Sequence, residues 1–185
     1  VIGVVYAYTA ESKYTATLNF VLSSGSSSSA GGLTGFASQF GLNLGSSGDD
    51  VFTGDNIITL MKSRRMVQEA LFMPLSGMRE SLLNFYITNS EINKGWAETD
   101  KFKNVYPFPA DANKMSLLQD SLFRIIYNSI TKDMLNVFKP EDDQNIYAVA
   151  TTSNNEKFSY YLTKYLTDVT SAFYIDTKTS SAKAN

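Results

Sequence analysis

From Tyr14 to Leu22 apolar and polar side chains alternate without a break. Tyr14, Ala16, Leu18, Phe20 and Leu22 fall on one face, and Thr15, Thr17 and Asn19 on the other. A period of two is that of a half-buried strand, and the segment is read as one. Residues 23–32, mostly Ser and Gly, are too poor in apolar side chains to hold a core and predict a loop. The period then lengthens. Leu33, Phe36, Ala37 and Phe40 stand at i, i+3, i+4 and i+7, one face of a short helix across residues 33–42. An uncharged amphipathic helix between Gly/Ser-rich arms must bury that face, on its own domain core or on a neighbouring subunit.

Helical spacing returns after Asp55, a residue suited to cap a helix. Ile57, Leu60, Met61, Val67, Ala70 and Leu71 keep one apolar flank, which ends near Met73-Pro74 because proline disfavours continuation. Residues 79–97 read as a second helix, with Leu82, Leu83, Tyr86, Ile87 and Ile92 inward and Trp96 near its end. Tyr106-Pro107-Phe108-Pro109 is an extended break. Residues 116–131 read as a third helix. Its stripe is Leu118, Leu122, Ile125 and Ile126, and Asp120 and Arg124 form an i, i+4 pair. Two strands, 134–138 and 145–152, flank the polar turn 139–144 and are expected to form a hairpin. The longest stripe comes last. Asn154 is placed as its cap, and Phe158, Tyr161, Leu162, Tyr165, Leu166, Val169 and Phe173 repeat at helical spacing. This order predicts an α+β domain, a small mixed sheet with helices packed on one face and a long C-terminal helix.

Composition narrows the chemistry. A chain of 185 residues, 43% of them hydrophobic, suits one cored domain. Sixteen Lys and Arg against 18 Asp and Glu leave a net charge of −2, so there is no electrostatic basis for binding nucleic acid. With no Cys and no His there is no thiolate nucleophile, disulfide, zinc thiolate site or Ser-His-Asp triad. A general base near neutral pH would have to be a perturbed Asp, Glu, Lys or Tyr. The expectation is a protein without catalytic residues, cofactor or metal. Lys62, Arg64 and Arg65 offer a phosphate or anionic-sugar site, or else a solvated helix face. Glu141, Asp142 and Asp143 lack the spacing of a calcium loop and read as an acidic turn tip. The apolar run 1–8 has two readings. It is an N-terminal core strand, or the last turns of a transmembrane helix with Tyr6 and Tyr8 in the interfacial belt.

Several motifs follow one another in a telling order. An apolar start runs into Tyr14-Thr15-Ala16, followed by the Gly-rich segment Ala-Gly-Gly-Leu-Thr-Gly-Phe-Ala-Ser-Gln-Phe-Gly-Leu (30–42) and the helix with Lys62-Ser63-Arg64-Arg65. Leu118-Gln119-Asp120-Ser121-Leu122 then precedes the hairpin, and Asp176-Thr177-Lys178-Thr179 follows the closing helix. Together these resemble the periplasmic domain of bacterial polysaccharide chain-length determinants, the Wzz-type polysaccharide co-polymerases, in a form found in Bacteroidetes-like genomes.

The resemblance implies a non-enzymatic regulator of O-antigen or related surface polysaccharide. Such a protein works beside a Wzy-type polymerase and its growing glycan, and is held in the inner membrane by flanking helices. It also implies ring-like homo-oligomers. Residues 1–13 would then be a membrane-helix end or stub, 14–176 the periplasmic α/β base domain, and 177–185 the start of a truncated helical extension. Leu33, Phe36 and Phe40, with Lys62, Arg64 and Arg65, are expected at subunit contacts. The Ser-rich loop is longer than the family pattern. A second reading, from the 11 Tyr, 12 Phe and one Trp, is a soluble periplasmic carbohydrate- or ligand-binding module with exposed aromatic stacking surfaces.

Overall fold

The alternating segment forms a strand, β1 (Tyr14–Val21), with Ala16, Leu18 and Phe20 half-buried on one face and Thr15, Thr17 and Asn19 exposed on the other. The computed structural model describes residues 12–21, 55–141 and 146–183. Residues 1–8, the Ser-rich stretch and the segment carrying Leu33, Phe36 and Phe40 lie outside the described residues, as do Asp142 and Asp143.

The expected hairpin pairs β2 (Leu135–Phe138) with β3 (Ile146–Ser153), Leu135 opposite Thr151 and Phe138 opposite Ala148. β1 joins the other side of β3, Tyr14 opposite Ser153 and Val21 opposite Ile146. The α+β class is as expected. The sheet order is β1-β3-β2 and both pairings are antiparallel, so the sheet is not mixed. A connection of only seven residues, 139–145, is too short for a parallel crossover and enforces one antiparallel pair, and β1 also runs against the central strand. Tyr147, Val149, Thr151 and Ser153 point with Leu135 and Val137 toward the helices and are buried.

Two of the single helices expected from periodicity are broken in two. In place of one helix from Asp55 to Met73 there are α1 (Asp55–Lys62) and α2 (Arg64–Phe72). Ser63 leaves the helical region (φ −61°, ψ 150°) and its hydroxyl accepts the Met66 N–H, capping α2. A serine hydroxyl offers the backbone this alternative to an unbroken ladder. The expected helix 79–97 starts instead at α3 (Leu82–Asn89), capped by Ser81, and restarts as α4 (Ile92–Ala97) after Glu91, which sits at φ 56°. α5 (Leu117–Ser129) opens with a reciprocal capping box between Ser116 and Gln119 and ends in a π-helical turn, Ile130–Met134. That turn takes Met134, expected to open the strand.

The closing helix, α6 (Glu156–Lys183), is capped by Asn155 and not Asn154: the Asn155 Oδ1 accepts the Phe158 N–H at 3.0 Å. Its stripe of Phe158, Leu162, Tyr165, Leu166 and Val169 is buried, with Tyr161 and Phe173 partly covered. α6 lies against β1 and β3, α2 packs on α6, and α1 on β2. The described helices thus stack on one face of the sheet, as expected. On α5 the stripe is turned from the expected one. Phe123 and Ile130 join Leu122 and Ile126 inside, while Ile125 is 63% exposed.

Candidate functional site

The basic group Lys62, Arg64 and Arg65 straddles the α1–α2 break. Ser63 ends one helix and starts the next there, and the Tyr127 hydroxyl donates to the Lys62 carbonyl at 2.8 Å. Arg64 reaches α5, where its guanidinium pairs with Asp120 and lies 5.4 Å from the centre of the Phe123 ring. Arg65 reaches α6 instead, its guanidinium 5.6 Å from the Phe173 ring centre. The two arginines diverge onto different helices, so they do not form a convergent cradle for a phosphate. Asp120 meets Arg64 across helices, and the expected i, i+4 ion pair with Arg124 does not form among the described residues. Of the residues expected at subunit contacts, Arg64 and Arg65 touch α5 and α6 of their own chain, Lys62 is engaged through its backbone carbonyl, and Leu33, Phe36 and Phe40 lie outside the described residues.

Two concave sites were not foreseen. An apolar groove of about 260 Å³ opens at the end of β1 beside α6, lined by Phe20, Val21, Met61, Thr167, Thr170, Ser171, Tyr174 and Ile175. No lining residue is charged. The Thr167 and Thr170 hydroxyls donate to the Thr163 and Leu166 carbonyls one turn back. The second site is a polar cleft of about 90 Å³ between the end of α3 and the start of α6. Tyr86, Asn89, Ser90, Ser153, Asn154, Asn155 and Phe158 line it, and the Asn155 amide donates to Asn89 Oδ1 at 3.2 Å. Sequence periodicity cannot reveal either site, because each draws on elements far apart in the chain.

Four described titratable groups are displaced from their usual range. Burial raises the Tyr86 hydroxyl above its usual 10.0, against a smaller opposing effect of its hydrogen bond with Ser90. Burial likewise raises Tyr127, with the Arg64 charge acting against it, and Tyr165. The hydrogen bond to Asp168 raises Lys164. All four shifts lead away from neutrality, so these groups keep their protons at pH 7. Among the described residues no three His, Cys, Asp or Glu side chains gather to hold a metal ion, and no helix is long and apolar enough to cross a membrane.

Compared with protein-family models, curated proteins and solved structures, the chain matches none.

Proposed function

We propose that this chain is the periplasmic base domain of a polysaccharide chain-length determinant, a non-enzymatic, self-assembling regulator acting beside a Wzy-type polymerase at the inner membrane. The observation that carries the reading is the architecture at the end of the chain. α6 runs unbroken for 28 residues, roughly 42 Å at 1.5 Å per residue, beginning on the sheet and continuing through the Asp176-Thr177-Lys178-Thr179 motif. A base domain that hands its last helix to a long helical extension requires such an element, and the order of sequence motifs points the same way. The test is deletion of the parent gene followed by electrophoresis of surface polysaccharide. Loss of the modal band is expected, and an unchanged ladder would remove the assignment.

The polar cleft favours a second reading, a soluble module that binds a small glycan. Its Asn and Ser side chains offer hydrogen-bonding groups at a cleft floored by the buried Tyr86 and Phe158 rings, whose centres lie 4.7 Å apart. Titration of the chain with monosaccharides, followed by amide NMR shifts at Asn89 and Asn155, checks it. Shifts confined to the cleft would favour this reading, and none would discard it.

A further inference from the structure

We propose that Met78 is an oxidant-accepting site, a methionine that takes an oxygen atom from a peroxide and is held, as its sulfoxide, by the Lys157 ammonium. The chain has six methionines, and their settings differ. Met61 and Met66 are fully enclosed in the core, and Met73, Met115 and Met134 pack against it partly buried. Met78 stands apart, 43% exposed. The turn that presents it is firmly held. Pro74 and Ser81 bridge its two sides, the Leu75 N–H donates to the Glu80 carbonyl at 3.0 Å, and the Met78 N–H donates to the Leu75 carbonyl at 2.9 Å. Gly77 supplies the left-handed corner at φ 77°, and the Tyr165 hydroxyl donates to the Pro74 carbonyl at 2.8 Å. The turn 74–81, α3 and α6, which together build the site, all lie among the described residues.

A cation stands beside the sulfur. Lys157 Nζ lies 3.7 Å from Met78 Sδ and 5.5 Å from the centre of the Phe85 ring on α3. Lys157 belongs to the first turn of α6, the helix end at which the backbone dipole disfavours a positive charge. A thioether is only a weak acceptor for that ammonium. A sulfoxide oxygen, the negative end of a polar S–O bond, accepts far more strongly. The step balances with the peroxide alone. A sulfur lone pair attacks one peroxide oxygen, the S–O bond forms, and the O–O bond breaks. The departing oxygen takes the proton of the transferred one and leaves as water. Sulfur loses two electrons and the peroxide gains them, while the neighbouring ammonium stabilises charge on the new oxygen. Methionine oxidation harms a protein when it makes an apolar side chain polar inside a core. At Met78 the oxygen meets solvent and a cation instead, and the peroxide is consumed before it reaches Met61 and Met66. A thiol-dependent sulfoxide reductase would restore the thioether. The site is complete within one chain and rests on neither functional reading.

With no cysteine in the chain, methionine oxidation can be followed without competing thiols. The folded 185-residue chain is treated with dilute hydrogen peroxide, and tandem mass spectrometry locates each added oxygen. Met78 should react first. Met61 and Met66 react only when the core opens, so they should lag by about a hundredfold or more. Side-chain NMR gives a second readout. The Lys157 ammonium signal should shift as Met78 is oxidised, and should stay in place when Met78→Leu receives the same treatment. The chain oxidised at Met78 alone should melt no lower than the untreated chain. Met78 reacting no faster than Met66 would overturn the proposal. So would Met78 reacting first with the Lys157 signal unmoved, the behaviour of an exposed methionine without a built site. A melt lowered by oxidation at Met78 alone would overturn it as well. Should Met78→Leu fail to fold, the reaction order and the Lys157 signal of the unsubstituted chain decide.

Discussion

Asn84 shows how much one polar side chain can organise. It lies in the middle of an apolar helix face, yet it is buried because its amide donates to the Phe108 carbonyl and its Oδ1 accepts the Phe108 N–H, both at 2.9 Å. The side chain thus acts as a backbone partner for the extended break at 106–109, satisfying two groups that would otherwise be buried unpaired. Asn84→Ala should cost on the order of 1–3 kcal/mol for each of those groups left without a partner. Urea unfolding of the variant measures it, and an unchanged midpoint would show that water takes over the role. Arg64 and Asp120 are the contrasting case. Their side chains are 38% and 48% exposed, so the pair should contribute under about 1 kcal/mol in a double-mutant cycle, falling further with added salt. Tyr86 gives a pH prediction. Its folded pKa is raised, so the folded state holds the proton more tightly, and stability falls as pH climbs from the usual 10.0 through the folded value. Lys164, raised by Asp168, acts in the same direction, its contribution present below the usual 10.5 and lost above it. Alkaline unfolding followed by circular dichroism should therefore steepen above about pH 10, and Tyr86→Phe should flatten part of that slope.

At the level of elements, α6 carries two buried stripes. The apolar stripe packs on α2 and the core, as its spacing foretells. The second is hydroxylic: Ser159, Thr163, Thr170 and Thr177 are 1–4% exposed. Thr163 Oγ1 lies 3.2 Å from the Ala16 carbonyl and 2.9 Å from Thr151 Oγ1, and Ser153 and Ser159 bond at 2.8 Å. Small hydroxyl side chains let the helix lie close on β1 and β3 while answering polar groups on the strands. This gives the two stripes different sensitivities. Leu162→Ala should cost roughly 2–5 kcal/mol, because the site is fully enclosed and a cavity remains. Thermal unfolding checks this, and an unshifted melt would show a stripe that serves some other contact. Thr163→Val keeps the shape and should cost about 1–3 kcal/mol through the lost hydrogen bonds. An unchanged melt for that variant would assign the hydroxyl no part in docking the helix.

For the molecule as a whole, the described helices cover one face of a three-stranded antiparallel sheet, and the other face mixes polar residues of β1 with apolar ones such as Phe138 and Ala148. Thr15, Thr17 and Asn19 occupy that outer face, where Thr15 and Thr152 join hydroxyls at 2.8 Å.

Local pattern by itself determined the strands and the class of the fold. The alternation at Tyr14–Val21 and the long stripe of α6 each bury a face whatever surrounds them, so both were legible residue by residue. Periodicity also placed helix across 55–73 and 79–97, because apolar spacing is almost blind to a single-residue interruption. Only tertiary structure decided that Ser63 would turn its hydroxyl to Met66, and that Glu91 would adopt a left-handed conformation. Each break re-aims the helix after it onto the core, and the energy for that lies in contacts distant in sequence. The same holds for the charges. The spacing of Asp120 and Arg124 suggested a local pair, yet Arg64 lies 56 residues away in the chain and meets Asp120 because α2 packs beside α5. The groove and the cleft were illegible for that reason too. Each is a surface between elements, and a surface exists only once packing has fixed which side chains share it.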